Sequence, residues 1–337
     1  RKLKPANKHL DDMLVSSIAM KDEQTFLMAT PYSILRIAFT GTDYIHDDLE
    51  TTEMSFDNLT YDSFIKNRIN KLYVDRKNKV VWLGTFGKGL LKSNMQDNQV
   101  KRILLDKDIY NVNGVVQDAH GYVWLTTEYH GIWKSNSNQF SSATKFSLWE
   151  NSKSKGRYTI YRDRSGSLWI ADDEGVVQWL NPLSNHRVEF RPKYDGEHSI
   201  GIINKIYHCI HNRLWLVSEK GLFIYDYQTD KCLASMPYND TIQKVTSLYE
   251  DGDGIMWLGT NNGVKSAKVK DNNIELAHGQ EEQFGISRGE VLVVYVNRHN
   301  QLYISYADKI VQTDGQRNGI ADIKIIKKDM MSGHIQC

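Results

Sequence analysis

Val245-Thr246-Ser247-Leu248-Tyr249-Glu250-Asp251-Gly252-Asp253-Gly254-Ile255-Met256-Trp257-Leu258-Gly259-Thr260-Asn261-Asn262-Gly263-Val264 reads as an apolar strand, a polar turn, a second strand centred on Trp, and a loop closing on Gly. The same reading holds around Trp82, Trp124, Trp169 and Trp215. Tyr303 in Gln301-Leu302-Tyr303-Ile304 and Leu27 in Thr25-Phe26-Leu27-Met28 take the Trp place in two further segments. Successive spacings from Leu27 to Tyr303 are 55, 42, 45, 46, 42 and 46 residues, a mean of 46. Self-similarity at a fixed period of this size marks a repeat architecture, here of seven units.

The turn is the most specific part. Asp118-Ala119-His120-Gly121 precedes Trp124, Asp163-Arg164-Ser165-Gly166 precedes Trp169, and Asp251-Gly252-Asp253-Gly254 precedes Trp257, giving D-x-x-G-x-x-W. An Asp side chain can accept hydrogen bonds from N–H groups further round the turn, and Gly supplies the positive φ of a tight reversal. Apolar residues fall three and six places before the Asp: Ile69 and Leu72, Val112 and Val115, Val245 and Leu248, Val291 and Val294. A third strand follows the loop, as in Gly89-Leu90-Leu91 and Gly221-Leu222-Phe223, and a weaker fourth follows that, as in Arg187 to Arg191 or around Ile323, Ile325 and Ile326. Four strands per unit at this period predict an all-β fold, a seven-bladed β-propeller of four-stranded blades. It forms a single domain over 1–337, with approximate blades 13–60, 61–106, 107–151, 152–198, 199–240, 241–286 and 287–328. In a blade the repeated Trp is core, filling the gap to the next blade.

Composition agrees. The chain has 337 residues, 23 Gly, 5 Pro, 18 Tyr and 8 Trp, a mix that favours short strands and tight turns over long helices. Its 42 Lys plus Arg against 41 Asp plus Glu remove the electrostatic case for nucleic-acid binding or for membrane contact by a basic surface. No run approaches 18 apolar residues, and residues 1–14 lack the apolar core of a signal peptide. Cys209, Cys232 and Cys337 form no CxxC pair, and Cys209, in an apolar strand, is read as a small buried hydrophobe.

The repeat resembles the two-component regulator propeller repeat, most closely over Val245 to Val264 and nearly as well over Ile69 to Leu91 and Val112 to Trp133. Several units depart from it. The first has Lys21 and Gln24 at the Asp and Gly places, the fifth Cys209 and Asn212, the seventh Asn297 and Asn300, and the second has a turn one residue longer without Gly. That repeat occurs in periplasmic sensor regions of hybrid two-component histidine kinases, so the resemblance implies a periplasmic segment of an inner-membrane receptor. It further implies a second propeller and a β-sandwich in the same receptor, and a homodimer is compatible with it. Lys2-Leu3-Lys4 and Gly333 to Cys337 then read as strands of adjoining units.

Other signals lose weight beside the repeat. Gly84-Thr85-Phe86-Gly87-Lys88-Gly89 lacks the Lys-Ser or Lys-Thr of a phosphate loop and occupies the loop present in every unit. Asp251 to Gly254 lacks the downstream oxygen ligands of a calcium loop. His46-Asp47-Asp48, with Asp43, Glu50 and Glu53, lies on an insertion and reads as a solvated charge run. The three-place step from Asp to Gly differs from the two-place step of a sialidase box. No cofactor or metal is expected.

A ligand is expected on the face made by the loops after each Trp strand and the segments leading into each first strand. The candidates are Glu128, Tyr129 and His130 after Trp124; Trp149, Lys155 and Arg157 leading into the fourth unit; Asp172 and Asp173 after Trp169; and Glu219 and Arg288. Aromatic rings beside carboxylates and guanidinium suit sugar recognition, and Arg157, Lys155, Arg288 and Lys88 suit a uronate or sulfate. The resemblance, more than these residues, implies the function: a non-catalytic, extracytoplasmic ligand-sensing propeller of a hybrid two-component sensor histidine kinase that recognises a glycan-derived oligosaccharide. Its rivals are a lyase or glycosidase, for which Glu128, Asp172, Asp173 and Glu219 supply carboxylates, and a protein-binding scaffold.

Overall fold

The repeated turn is held by its own carboxylate. Asp118 Oδ1 accepts the N–H groups of His120 (3.0 Å) and Tyr122 (2.9 Å), and its Oδ2 accepts the indole N–H of Trp124 at 2.7 Å. Asp163 does the same for Ser167 N–H (3.0 Å) and Trp169 Nε1 (2.8 Å), and Asp251 for Asp253 and Ile255 N–H (both 2.9 Å) and Trp257 Nε1 (3.0 Å). The fixed distance from Asp to Trp is thus the span over which one carboxylate closes a turn and satisfies a core indole. Gly121, Gly166 and Gly254 lie at φ 88°, 89° and 78°. Where Gly is missing, Asn212 (59°) and Asn300 (61°) take its place, since Asn tolerates the left-handed region better than other L residues.

The structure is a computed structural model. It describes residues 16–21, 25–29, 34–39, 49–54, 69–94, 100–103, 105, 109, 111–136, 143–146, 156–240, 242–270, 273–277, 289–297, 300–306, 309–313 and 324–327. Their strands, in chain order, begin with β1 (Ser17–Met20), β2 (Thr25–Ala29), β3 (Ile34–Phe39) and β4 (Leu49–Met54). Then come β5 (Ile69–Asp75), β6 (Val80–Thr85), β7 (Leu90–Asn94) and β8 (Val100–Ile103), and β9 (Val112–Gln117), β10 (Val123–Thr127), β11 (Ile132–Ser135) and β12 (Ala143–Phe146). The middle of the chain holds β13 (Tyr158–Arg162), β14 (Leu168–Asp172), β15 (Val177–Leu180) and β16 (Arg187–Phe190), followed by β17 (Ile203–His208), β18 (Leu214–Ser218), β19 (Gly221–Asp226) and β20 (Lys231–Pro237). The last are β21 (Val245–Glu250), β22 (Met256–Thr260), β23 (Gly263–Lys270) and β24 (Asn273–Ala277), then β25 (Val293–Val296), β26 (Leu302–Ser305), β27 (Lys309–Gln312) and β28 (Lys324–Lys327). No helix occurs among the described residues.

Each consecutive set of four is an antiparallel meander, and one parallel bridge, Ser235↔Asn273, joins β20 to β24. First strands touch in series, β1 to β5, β9, β13, β17, β21 and β25. Side chains cross these joints: Ser17 Oγ accepts Leu72 N–H (3.2 Å), Ser247 Oγ accepts Val294 N–H (2.9 Å), and Thr246 Oγ1 donates to Val291 O. The residue preceding the turn also reaches back to the previous unit. Gln117 Nε2 donates to Asp75 Oδ2 at 2.8 Å, and His208 Nδ1 stands 3.6 Å from Asp163 Oδ2.

The core lies between sheets, as the repeat implies. Trp82, Trp124, Trp169 and Trp215 are 0 to 5 % exposed, and Cys209 is buried in the same cluster as Trp215. Trp257 differs, being half-buried. His208 stacks on Trp169 at 5.3 Å, whereas the corresponding residue facing Trp257 is Val296, which covers less of a ring. Val188 on β16 is 38 % exposed. It lies on the outermost strand of its sheet, with a neighbour on one side only.

Candidate functional site

The loops after the second strands share one construction. Thr85 and Thr127 each donate N–H and Oγ1 to the Gly that ends the loop, with Thr127 Oγ1 2.7 Å from Gly131 O, and Thr260 Oγ1 donates to Gly263 O at 2.8 Å. Asp172 holds this same place in the fourth unit. It is buried, and its Oδ1 accepts the N–H groups of Glu174 and Val176, both at 2.9 Å. The expectation of a free loop carboxylate therefore does not describe Asp172. Burial pushes its carboxyl up, and the two N–H groups oppose that shift. In the second unit, Gly87 N–H points to Asn111 Oδ1 (2.9 Å) and Lys88 N–H to Thr85 Oγ1 (3.1 Å), so these donors serve the loop itself.

The loop of the third unit presents a ring. Tyr129 is 67 % exposed and lies at φ 68°, a region costly for an aromatic residue. Two neighbours hold it there. Glu128 N–H donates to Asn111 O (3.0 Å) and Glu128 Oε2 accepts Asn111 Nδ2 (2.9 Å), while Tyr129 N–H donates to Gly156 O (3.0 Å). His130 Nδ1 lies 2.9 Å from Glu128 O, and Trp133 Nε1 donates to His130 O at 3.1 Å. Gly156, at φ 111°, packs so closely that a Cβ would collide with the Tyr129 backbone. Gly156→Ala is accordingly expected to cost roughly 1 to 3 kcal/mol. Hydrogen exchange should show lost protection at the Tyr129 N–H, and an unchanged rate there would contradict this account.

Arg157 follows Gly156 and is exposed. The pairing Tyr158↔Asp172 brings Arg157 to the same sheet end as Asp173, whose Oδ1 is buried with no hydrogen-bond partner among the described residues. Glu128, Tyr129, His130, Arg157, Asp172 and Asp173 thus share the border of two units. Glu219 belongs to the next one: it is exposed, its N–H donates to Ile202 O (3.1 Å), and its side chain lies over Gly201. Trp149, Lys155 and Arg288 lie outside the described residues.

Two groups escaped sequence reading. Lys71 and Lys205 occupy one repeat position on β5 and β17. Both side chains are exposed, yet desolvation by the surrounding protein, then the charges of Lys71 and Lys244, bring Lys205 down to about 8. Tyrosines also recur two places before the Asp place: Tyr73, Tyr161, Tyr207, Tyr249 and Tyr295. Their rings meet in succession, Tyr161 to Tyr207 at 5.4 Å, Tyr207 to Tyr249 at 6.5 Å and Tyr249 to Tyr295 at 4.8 Å. The visible signal was Tyr at a fixed offset, one place beyond the apolar residue on which the strand reading rests.

With this geometry in place, comparison with known proteins is informative. Residues 241–262 match the family model described as two component regulator propeller. The sixth unit thus resembles a two component regulator propeller repeat. The chain is also similar to a solved extracellular domain described as that of a hybrid two component system from B. thetaiotaomicron. Identity is 17%, the TM-score 0.65, and the match covers 95% of this chain and 40% of that one, so the propeller chain spans well under half of its relative. Virginiamycin B lyase from Staphylococcus aureus matches at 13% identity and TM-score 0.65, covering 88% of this chain and 93% of that one. The WD40 beta propeller domain of Doa1 matches at 10% identity and TM-score 0.61, covering 90% and 92%. No curated protein sequence matches. Identities this low establish the fold alone, an all-β propeller of four-stranded antiparallel sheets. No helix among the described residues is long and apolar enough to cross a membrane.

Proposed function

We propose that this chain is a seven-bladed, non-catalytic propeller, the extracytoplasmic sensing segment of a hybrid two-component histidine kinase, and that it recognises a glycan-derived oligosaccharide. The observation carrying this reading is Tyr129, an exposed ring held in a costly backbone conformation by two units at once. Strain of this kind persists where surrounding structure over-determines it, and it is common at binding sites. A presented ring stacks on the apolar face of a pyranose. The exposed Arg157 guanidinium answers hydroxyls or a carboxylate, and the exposed amines of Lys71 and Lys205 favour an anionic group. The receptor would be periplasmic, with a second propeller and a β-sandwich beyond this segment. Ligand would act by favouring one arrangement of these parts over another.

The enzyme alternative meets an obstacle in its own carboxylates. Glu128 is bonded to Asn111 and Asp172 closes its loop, so two of the four candidates serve the scaffold. Likeness to a lyase at 13% identity carries the fold and no chemistry.

Calorimetry against neutral and uronate-bearing oligosaccharides, with chromatography of the recovered sugar, tests this reading. Binding is expected to fall at least tenfold in Tyr129→Ala and in Arg157→Ala, with the sugar recovered intact. Cleaved sugar would replace the sensor with an enzyme, and binding indifferent to both substitutions would move the site elsewhere.

A further inference from the structure

The fifth unit breaks its own rule at the turn. Cys209 stands where the second, third, fourth and sixth units carry Asp, yet the backbone turn survives: Cys209 N–H donates to Arg213 O (3.0 Å) and Asn212 N–H to Cys209 O (3.1 Å). What is lost is the carboxylate, and one arrives from the neighbouring unit. Glu250, 2 % exposed, places Oε2 2.9 Å and Oε1 3.2 Å from Ile210 N. His211 lies in the same turn, and a Cβ on Gly254 would stand 3.3 Å from its Cε1, so the imidazole rests against the turn of the sixth unit. One ligand atom from each of Cys209, His211 and Glu250 lies within 4.8 Å of the others.

We propose that Cys209, His211 and Glu250 form a zinc site that clasps the fifth unit to the sixth. Thiolate, imidazole and carboxylate are donors that zinc takes together, with ligand atoms about 2.0 to 2.3 Å from the ion and water as the fourth ligand. Tetrahedral zinc ligands lie roughly 3.5 Å apart, so binding draws these donors together from within 4.8 Å. A thiol and a ring nitrogen argue against calcium or magnesium, which take oxygen. The Trp215 indole, which donates to the Cys209 sulfur, supports a thiolate in the way that outer hydrogen bonds tune metal ligands. The competing cation is Arg164, 3.7 Å from Glu250 Oε2 and 60% exposed, hence able to swing into solvent. On binding, the S–H bond breaks, the S–Zn bond forms, and the proton leaves to solvent.

The three ligands come from two units and are 39 to 41 residues apart where they cross the border, so no spacing motif exposes them. Cobalt titration of the metal-free, reduced chain is expected to give a thiolate-to-cobalt charge-transfer band at one ion per chain, and zinc should displace the cobalt and raise the melting temperature. Cys209→Ser should abolish the band, and His211→Ala, a surface change that leaves folding intact, should weaken binding at least tenfold. The absence of a thiolate band, or affinity unchanged in either variant, overturns the site. The readout is independent of any sugar, so its failure leaves the sensor reading standing.

Discussion

Trp169→Ala is expected to destabilise the fold by roughly 3 to 5 kcal/mol, the range for removing a large buried aromatic. The ring is fully buried, with Tyr227 against its edge at 4.8 Å, His208 stacked at 5.3 Å and Trp179 at 6.3 Å. These neighbours come from two units, so the cavity opens at a joint and relaxation on one side cannot fill it. Tyr129→Ala removes a ring that is already in water and should change stability by well under 1 kcal/mol. Urea unfolding of the two variants measures the contrast. Equal losses would mean that the packing ring and the presented ring had been wrongly distinguished.

Asp163→Ala should have the next largest effect, about 3 kcal/mol. The substitution strands Ser167 N–H and Trp169 Nε1 and removes the 2.6 Å hydrogen bond from Ser165 Oγ, and each buried donor left without an acceptor costs about 1 to 3 kcal/mol. Asp163→Asn keeps one carbonyl acceptor, so it should recover part of the loss. Thermal melts of the two variants should rank wild type, Asn, then Ala. A melt of Asp163→Ala superimposable on wild type would show that the turn holds without its carboxylate.

Strand order and the place of each repeated aromatic were legible because they rest on local rules. Alternating apolar residues, an Asp and a Gly at fixed offsets and a recurring Trp fall within about twenty residues of one another. The indole-to-carboxylate bond was not foreseen, although both partners stood in the motif, because a consensus shows which residues recur and not which atoms meet. The candidate site was legible only as a set of loops. Asp172 looked like a free acid because its place in other units holds Thr or Ser, and only the shared loop construction reveals it as their substitute. Glu250 beside Cys209 was hidden for the opposite reason, since contacts across a unit border have no sequence period.

The loop stitching shifts the boundary of cooperation away from the boundary of the repeat. Tyr129 N–H ends on Gly156 and Gly263 N–H ends on Gly289, in each case on the segment that opens the following unit. A gene duplication that copies one unit therefore copies a loop without its dock and a dock without its loop. New copies can be accommodated only where the two halves happen to fit, so sequence drift in such a chain should be correlated between the tail of one unit and the head of the next more tightly than within either.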